Sequence, residues 1–125
     1  EGATGDVYLR GMDELVAPAV TEFGATWVLL SAGFDGHRAD PLTGLGLTSG
    51  DFADLTRRTL ELAAPGRRLA FLEGGYDLEA LRDSTAACVA AMGGADVRPE
   101  PATSGGPGRE VVDAALRVRV ARAEK

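Results

Sequence analysis

The apolar positions change period along the chain, and the changes mark out its elements. Residues 7–23, VYLRGMDELVAPAVTEF, place Leu9, Met12, Val16, Val20 and Phe23 three or four apart, which is one face of a helix. Pro18 lies inside that pattern, so a kink or frayed turn is expected near it. ATWVLLSA, residues 25–32, has no polar alternation. It reads as a short strand buried on both faces, as in a parallel sheet. Residues 33–48 hold four Gly and one Pro and read as a long loop, of the kind more often functional than idle. A helix follows at about 49–64, with Thr48 or Ser49 as cap, Asp51 in its first turn, and Phe52, Leu55, Thr59 and Leu62 on its inner face. Pro65-Gly66 should end it.

The pattern then repeats. Residues 68–73 make a second short apolar strand, broken by Gly74-Gly75. After Tyr76, Asp77 can cap a helix over about 77–92, with Leu78, Leu81, Thr85, Cys88 or Val89, and Met92 as its buried stripe. Residues 94–108 are rich in Gly and Pro and have little to bury, so they read as a linker. Residues 109–125 form a terminal helix of open role, with a thin apolar face of Val112, Ala115, Leu116 and Val120. Helix–strand–loop–helix–strand–loop–helix is the grammar of an α/β fold with a parallel sheet. Two strands alone cannot support such a sheet with helices on both faces. Residues 1–93 are therefore expected to be an incomplete domain.

Composition narrows the function. The chain has 125 residues, 13 of them basic and 19 acidic, for a net charge of −6. That argues against a nucleic-acid footprint but not against a cationic substrate. The single cysteine, Cys88, excludes an internal disulfide framework and suits a reducing, cytoplasmic compartment. Cys88 itself is expected in the core. No segment approaches the roughly 18 consecutive apolar residues of a membrane helix. In open α/β sheets ligands bind beyond the carboxyl ends of the strands, and both Gly-rich loops fall there. Asp35, His37, Asp40 and Tyr76 are thus candidates to converge at that edge. Each also has an ordinary reading: Asp35 and Asp40 as turn residues, His37 as a loop histidine, Tyr76 as a packed aromatic. Glu73 is expected to bond loop amides. A nucleotide-binding βαβ module is disfavoured, because neither a G-x-G-x-x-G opening a helix nor a G-x-x-x-x-G-K-[ST] occurs.

SAGFDGHRADPLTGLGLT and FLEGGYDLEAL, with GATGDVY near the start, resemble the zinc-dependent histone deacetylase superfamily, including acetylpolyamine amidohydrolases and acetoin-utilisation relatives. The resemblance implies part of an arginase/deacetylase-type fold. It implies metal-dependent hydrolysis of an acetyl-amide on an acetylated lysine or polyamine, with Zn²⁺ as cofactor. It makes Asp35 a zinc ligand and Tyr76 the hydroxyl donor to the substrate carbonyl. It sets Gly74 and Gly75 against the acyl group and Leu42 in the substrate channel. In that family the position of His37 varies, so His37 is expected to be a loop or rim residue. The family's other two metal ligands and its histidine-pair base come from segments upstream of these motifs. The chain alone is therefore expected to be inactive and to pair with the N-terminal part of the same domain. The alternative is a catalytically inactive deacetylase-like protein kept for protein interaction.

Overall fold

The computed structural model describes residues 1–123. The first helical stretch has three parts: α1 (Gly5–Gly11), a π-helical turn over Met12–Val16, and α2 (Ala17–Phe23). The kink expected at Pro18 is realised as this π-turn. Pro18 lies in the first turn of α2, which runs on directly from the π-turn, so its missing N–H removes one helical bond, and the wider turn before it absorbs the change of register. Val7 is buried and Leu9 and Met12 are half-covered, but Val16 and Phe23, expected on the inner face, are exposed.

β1 (Val28–Gly33) and β2 (Arg68–Gly74) pair in parallel. Between them runs α3 (Ser49–Leu60), whose start is fixed by its own sequence: the Asp51 carboxylate accepts the Thr48 N–H at 2.9 Å, and the Thr48 side chain accepts the Asp51 N–H in return. This reciprocal N-terminal arrangement satisfies donors that the helix leaves unpaired. The helix closes at Leu60 rather than at Pro65, which instead begins the turn into β2. Its buried face is Phe52, Ala53, Thr56 and Thr59.

α4 (Leu78–Met92) opens on Asp77, whose side chain accepts the Ala80 N–H at 2.8 Å. Its buried stripe keeps the expected Cys88, with Leu81 at the core margin, but otherwise differs from the expectation. Ala80, Ser84, Ala87, Cys88 and Ala91 face inward, while Leu78, Val89 and Met92 are exposed. Small side chains let α4 lie close on α3. The core there is a compact cluster of Phe34, Leu47, Phe52 and Cys88, with Ala32 and Leu81 at its margin. Phe34 and Phe52 meet edge to face, with centroids 5.1 Å apart, a favoured aromatic geometry.

The sheet is not buried on both faces. Leu29, Leu69 and Phe71 are 66%, 46% and 50% exposed, because two strands covered on one side leave the other side bare. A cleft of about 670 Å³ runs between α1, its π-turn and β1, lined by residues that include Val7, Met12, Leu30, Ala32 and Val112. Among the described residues no helix is long and apolar enough to cross a membrane.

Residues 96–108 are pinned by hydrogen bonds rather than loose. Glu100 N–H donates to Ser49 Oγ at 3.1 Å, and the Thr48 hydroxyl donates to Pro101 O at 2.7 Å. Thr103 donates its N–H and hydroxyl to the two Asp51 oxygens at 2.8 and 2.6 Å. The segment is a strap over the start of α3. Its attachment is polar, which is why a reading based on apolar burial takes it for a linker. The strap leads into α5 (Arg109–Ala123), while residues 124–125 of the expected terminal helix lie outside the described residues. Val112 is buried and Leu116 half-covered; Ala115 and Val120, expected beside them, are exposed. Ion pairs join α5 to α1, with Arg109 to Asp6 at 2.7 Å and Arg10 to Asp113 at 2.5 Å.

Candidate active site

The two parallel strands end together, and the pairing is adjusted where they end. Ala32 is opposite Leu72, but Gly33 is opposite Gly74, so the register slips by one at Glu73. Such a bulge bends the strand and re-aims the residues beyond it. Glu73 is exposed and, among the described residues, its carboxylate bonds no loop amide, contrary to the expectation. The slip leaves two glycines side by side, and the Asp35 carboxylate occupies the space over them. Its Oδ1 lies 2.8 Å from where a Cβ on Gly33 would be and 3.4 Å from where one on Gly74 would be. Phe34 N–H donates to Gly74 O at 2.9 Å and continues the strand pairing by one residue. Among the described residues no group donates a hydrogen bond to the Asp35 side chain; only its backbone carbonyl is engaged, by the Thr43 hydroxyl at 2.7 Å.

Gly75 turns the chain away from β2 at φ +121°. An L-residue there would be strained, and a Cβ would come within 3.0 Å of Phe34 Cβ. Tyr76 comes next, its side chain 64% exposed. Tyr76 is held by its backbone. Asp40, only 5% exposed, accepts the Tyr76 N–H at 2.6 Å and the Asp77 N–H at 3.1 Å on one carboxylate oxygen, and the Leu42 N–H at 3.0 Å on the other. Burial works to raise the Asp40 pKa, but these three amides, that of Tyr76 foremost, outweigh it and hold it below the usual aspartate value. Leu42 itself is 62% exposed. At the carboxyl ends of the strands the Asp35 carboxylate thus lies over Gly74, and Asp40 ties the Tyr76 backbone to that of Leu42.

His37 is turned elsewhere. It is 4% exposed, and both ring nitrogens are engaged. Nδ1 accepts the Ala39 N–H at 3.1 Å, which leaves Nε2 as the donor to Glu100 at 2.7 Å. Glu100 also accepts from Arg38 at 2.7 Å and from the Ser49 N–H at 3.1 Å. Burial acts to raise its pKa, but the His37, Ser49 and Arg38 donors overcome that and bring it to about 2. The histidine therefore anchors the loop to the strap.

Two residues near the site were not singled out from the sequence. Glu100 lies in a segment read as a linker. Tyr8 has its phenol pKa raised, first by burial and second by the Asp35 charge, so it stands near that carboxylate; GATGDVY is the one local hint of it.

As a metal site the chain is partial. Asp35 offers an oxygen donor suited to Zn²⁺, unclaimed by any protein donor described. A catalytic zinc takes about three protein ligands, and among the described residues no group of three His, Cys, Asp or Glu side chains is placed to hold an ion.

A parallel α/β sheet with a free carboxylate and a glycine-hinged tyrosine loop at its strand ends has the layout of proteins that bind ligands at that edge. The chain belongs to the histone deacetylase domain family, which it matches over residues 1–92. It is 47% identical over 89 residues to "Histone deacetylase 10, chloroplastic" of Oryza sativa subsp. japonica, covering 68% of this chain and 20% of that protein. It is 41% identical over 99 residues to a "Probable deacetylase" of Archaeoglobus fulgidus, covering 75% of this chain and 28% of that protein. Its backbone superposes on the crystal structure of the HDA15 HD domain with a TM-score of 0.80 at 27% identity, over 96% of this chain and 33% of that one. The chain spans a third or less of each of these proteins.

Proposed function

We propose that this chain supplies part of the active site of a metal-dependent deacetylase that hydrolyses an acetyl-amide on an acetylated lysine or a polyamine. The observation that carries the reading is the Asp35 carboxylate: it lies over Gly33 and Gly74 at the paired strand ends, with no protein hydrogen bond among the described residues. Within a complete domain Asp35 is one ligand of the metal, with the remaining ligands and the general base contributed by other segments. Zn²⁺ held there would polarise the acetyl carbonyl and activate a water. Tyr76 donates its hydroxyl to the carbonyl oxygen and steadies the negative charge that grows on it. Gly74 and Gly75, lacking Cβ atoms, let the backbone approach the acyl group, and Leu42 lines the approach of the substrate. A cytoplasmic setting belongs to the same reading, since the one thiol, Cys88, is free and buried.

The test uses the complete domain loaded with zinc and an acetylated amine. Tyr76→Phe should leave zinc bound and lower turnover about 10²–10³-fold, as expected for one lost oxyanion donor. Asp35→Ala should lower both bound zinc, measured by elemental analysis, and activity. Full turnover by Tyr76→Phe, or normal zinc content in Asp35→Ala, would refute the corresponding role. A wild-type domain without turnover on any acetylated amine would instead leave the protein-interaction reading.

A further inference from the structure

Asp40 is the only described side chain that ties the two candidate loops together at the tyrosine. From the metal-side loop it reaches across and accepts the N–H of Tyr76 at 2.6 Å and of Asp77 at 3.1 Å, while its other oxygen accepts its own loop's Leu42 N–H at 3.0 Å. The tyrosine needs such a tie. It comes after two consecutive glycines, the second at φ +121°, and its side chain is 64% exposed. No described residue bonds its hydroxyl. Its position therefore comes from its backbone. The Asp77 side chain caps α4 through Ala80 at 2.8 Å and fixes the far end of the turn. The near end is fixed by Phe34 N–H on Gly74 O at 2.9 Å. Between those two anchors, the Asp40 carboxylate sets the peptide that carries Tyr76.

We infer that Asp40 is a positioning residue for the Tyr76 hydroxyl, holding it in register with the Asp35 carboxylate by clamping the Tyr76 and Asp77 amides to the loop that carries Asp35. This rests on the reading of Tyr76 as the oxyanion donor. It goes further by assigning a reaction-geometry role to a residue otherwise explained as a turn aspartate. The clamp works because a carboxylate is acceptor-only on both oxygens, and all three facing groups are donors. Asparagine can keep the tyrosine-side bonds by turning its oxygen to Tyr76 and Asp77 and its NH₂ to the Leu42 N–H, so the variant that removes the clamp is Asp40→Ala.

The experiment is a double-mutant cycle in the complete, zinc-loaded domain with variants Asp40→Ala, Tyr76→Phe and the pair. Asp40→Ala should lower kcat about 10²-fold, the scale expected for a misplaced catalytic group, with KM and zinc content unchanged. The double variant should be no slower than Tyr76→Phe alone, because Asp40 acts through the hydroxyl that variant lacks. A wild-type kcat in Asp40→Ala, losses that multiply in the double variant, or loss of zinc from Asp40→Ala would each overturn the assignment. Full activity in Tyr76→Phe would instead sink the role of the tyrosine itself, so the two failures are distinguishable. A readout independent of variant folding is amide exchange in the wild-type domain. The Tyr76 and Asp77 N–H groups should exchange far more slowly than exposed loop amides, and exchange at the exposed-loop rate would overturn the clamp.

Discussion

Replacing Glu100 by Gln should loosen the strap from the site loop, and the loss should depend on pH in a defined direction. The Glu100 carboxylate accepts from His37 Nε2 at 2.7 Å, from the Ser49 N–H and hydroxyl at 3.1 and 3.2 Å, and from Arg38 at 2.7 Å. Arg38 is 56% exposed, so its pair adds about 0–1 kcal/mol. The bonds to the buried His37 and Ser49 dominate, at about 1.5–3 kcal/mol for hydrogen bonds to a charged acceptor. The pKa gives a second measure. A carboxyl held at about 2 in the folded protein against its ordinary 4.5 contributes at most about 3 kcal/mol at neutral pH. Since a fifth of the side chain is exposed, screening brings this to about 2 kcal/mol. Because the folded-state pKa is depressed, the stabilisation is fully present above 4.5 and is lost as pH falls from 4.5 towards 2. Wild-type and Glu100→Gln complete domains should be compared by urea unfolding at several pH values. The gap between them should be about 2 kcal/mol at pH 7, fall to less than half of that by pH 3, and approach zero only below about pH 2, where protonated Glu and Gln present similar groups. A gap below about 0.5 kcal/mol at pH 7, or one that stays constant down to pH 3, would refute the reasoning.

Gly5→Ala should destabilise the domain by about 1–3 kcal/mol, read as a lowered Tm, because the added Cβ would fall 1.9 Å from Asp51 Oδ1; an unchanged Tm would mean the α1–α3–strap junction is not packed as described. Phe34→Leu removes the edge-to-face contact with Phe52 and the shelf under Gly75. It should cost about 1–2 kcal/mol in stability and lower deacetylase turnover of the complete domain more than that stability loss explains.

The outline of the fold was legible because it depends on local chemistry. The strand at Val28–Gly33, the cap pair Thr48 and Asp51, and the Asp77 cap are written in neighbouring residues. So are the motifs around Asp35 and Gly74-Gly75-Tyr76. Side-chain facing was legible only in part. α4 turns alanines and Ser84 inward and leaves Leu78, Val89 and Met92 outward, because close approach to α3 selects small residues over greasy ones. A hydrophobic stripe cannot reveal that preference without the partner helix.

By itself the sequence determined which stretches are helix or strand, that the sheet is parallel, and that glycine-rich loops follow the strand ends, since period, caps and glycines act over a few residues. Only the tertiary structure decided where His37 points, that Asp40 holds the tyrosine loop, and that Glu100, 63 residues from His37, closes a strap over the site loop. Those bonds join groups far apart in the chain, and nothing in the local sequence records which distant carboxylate will meet which donor.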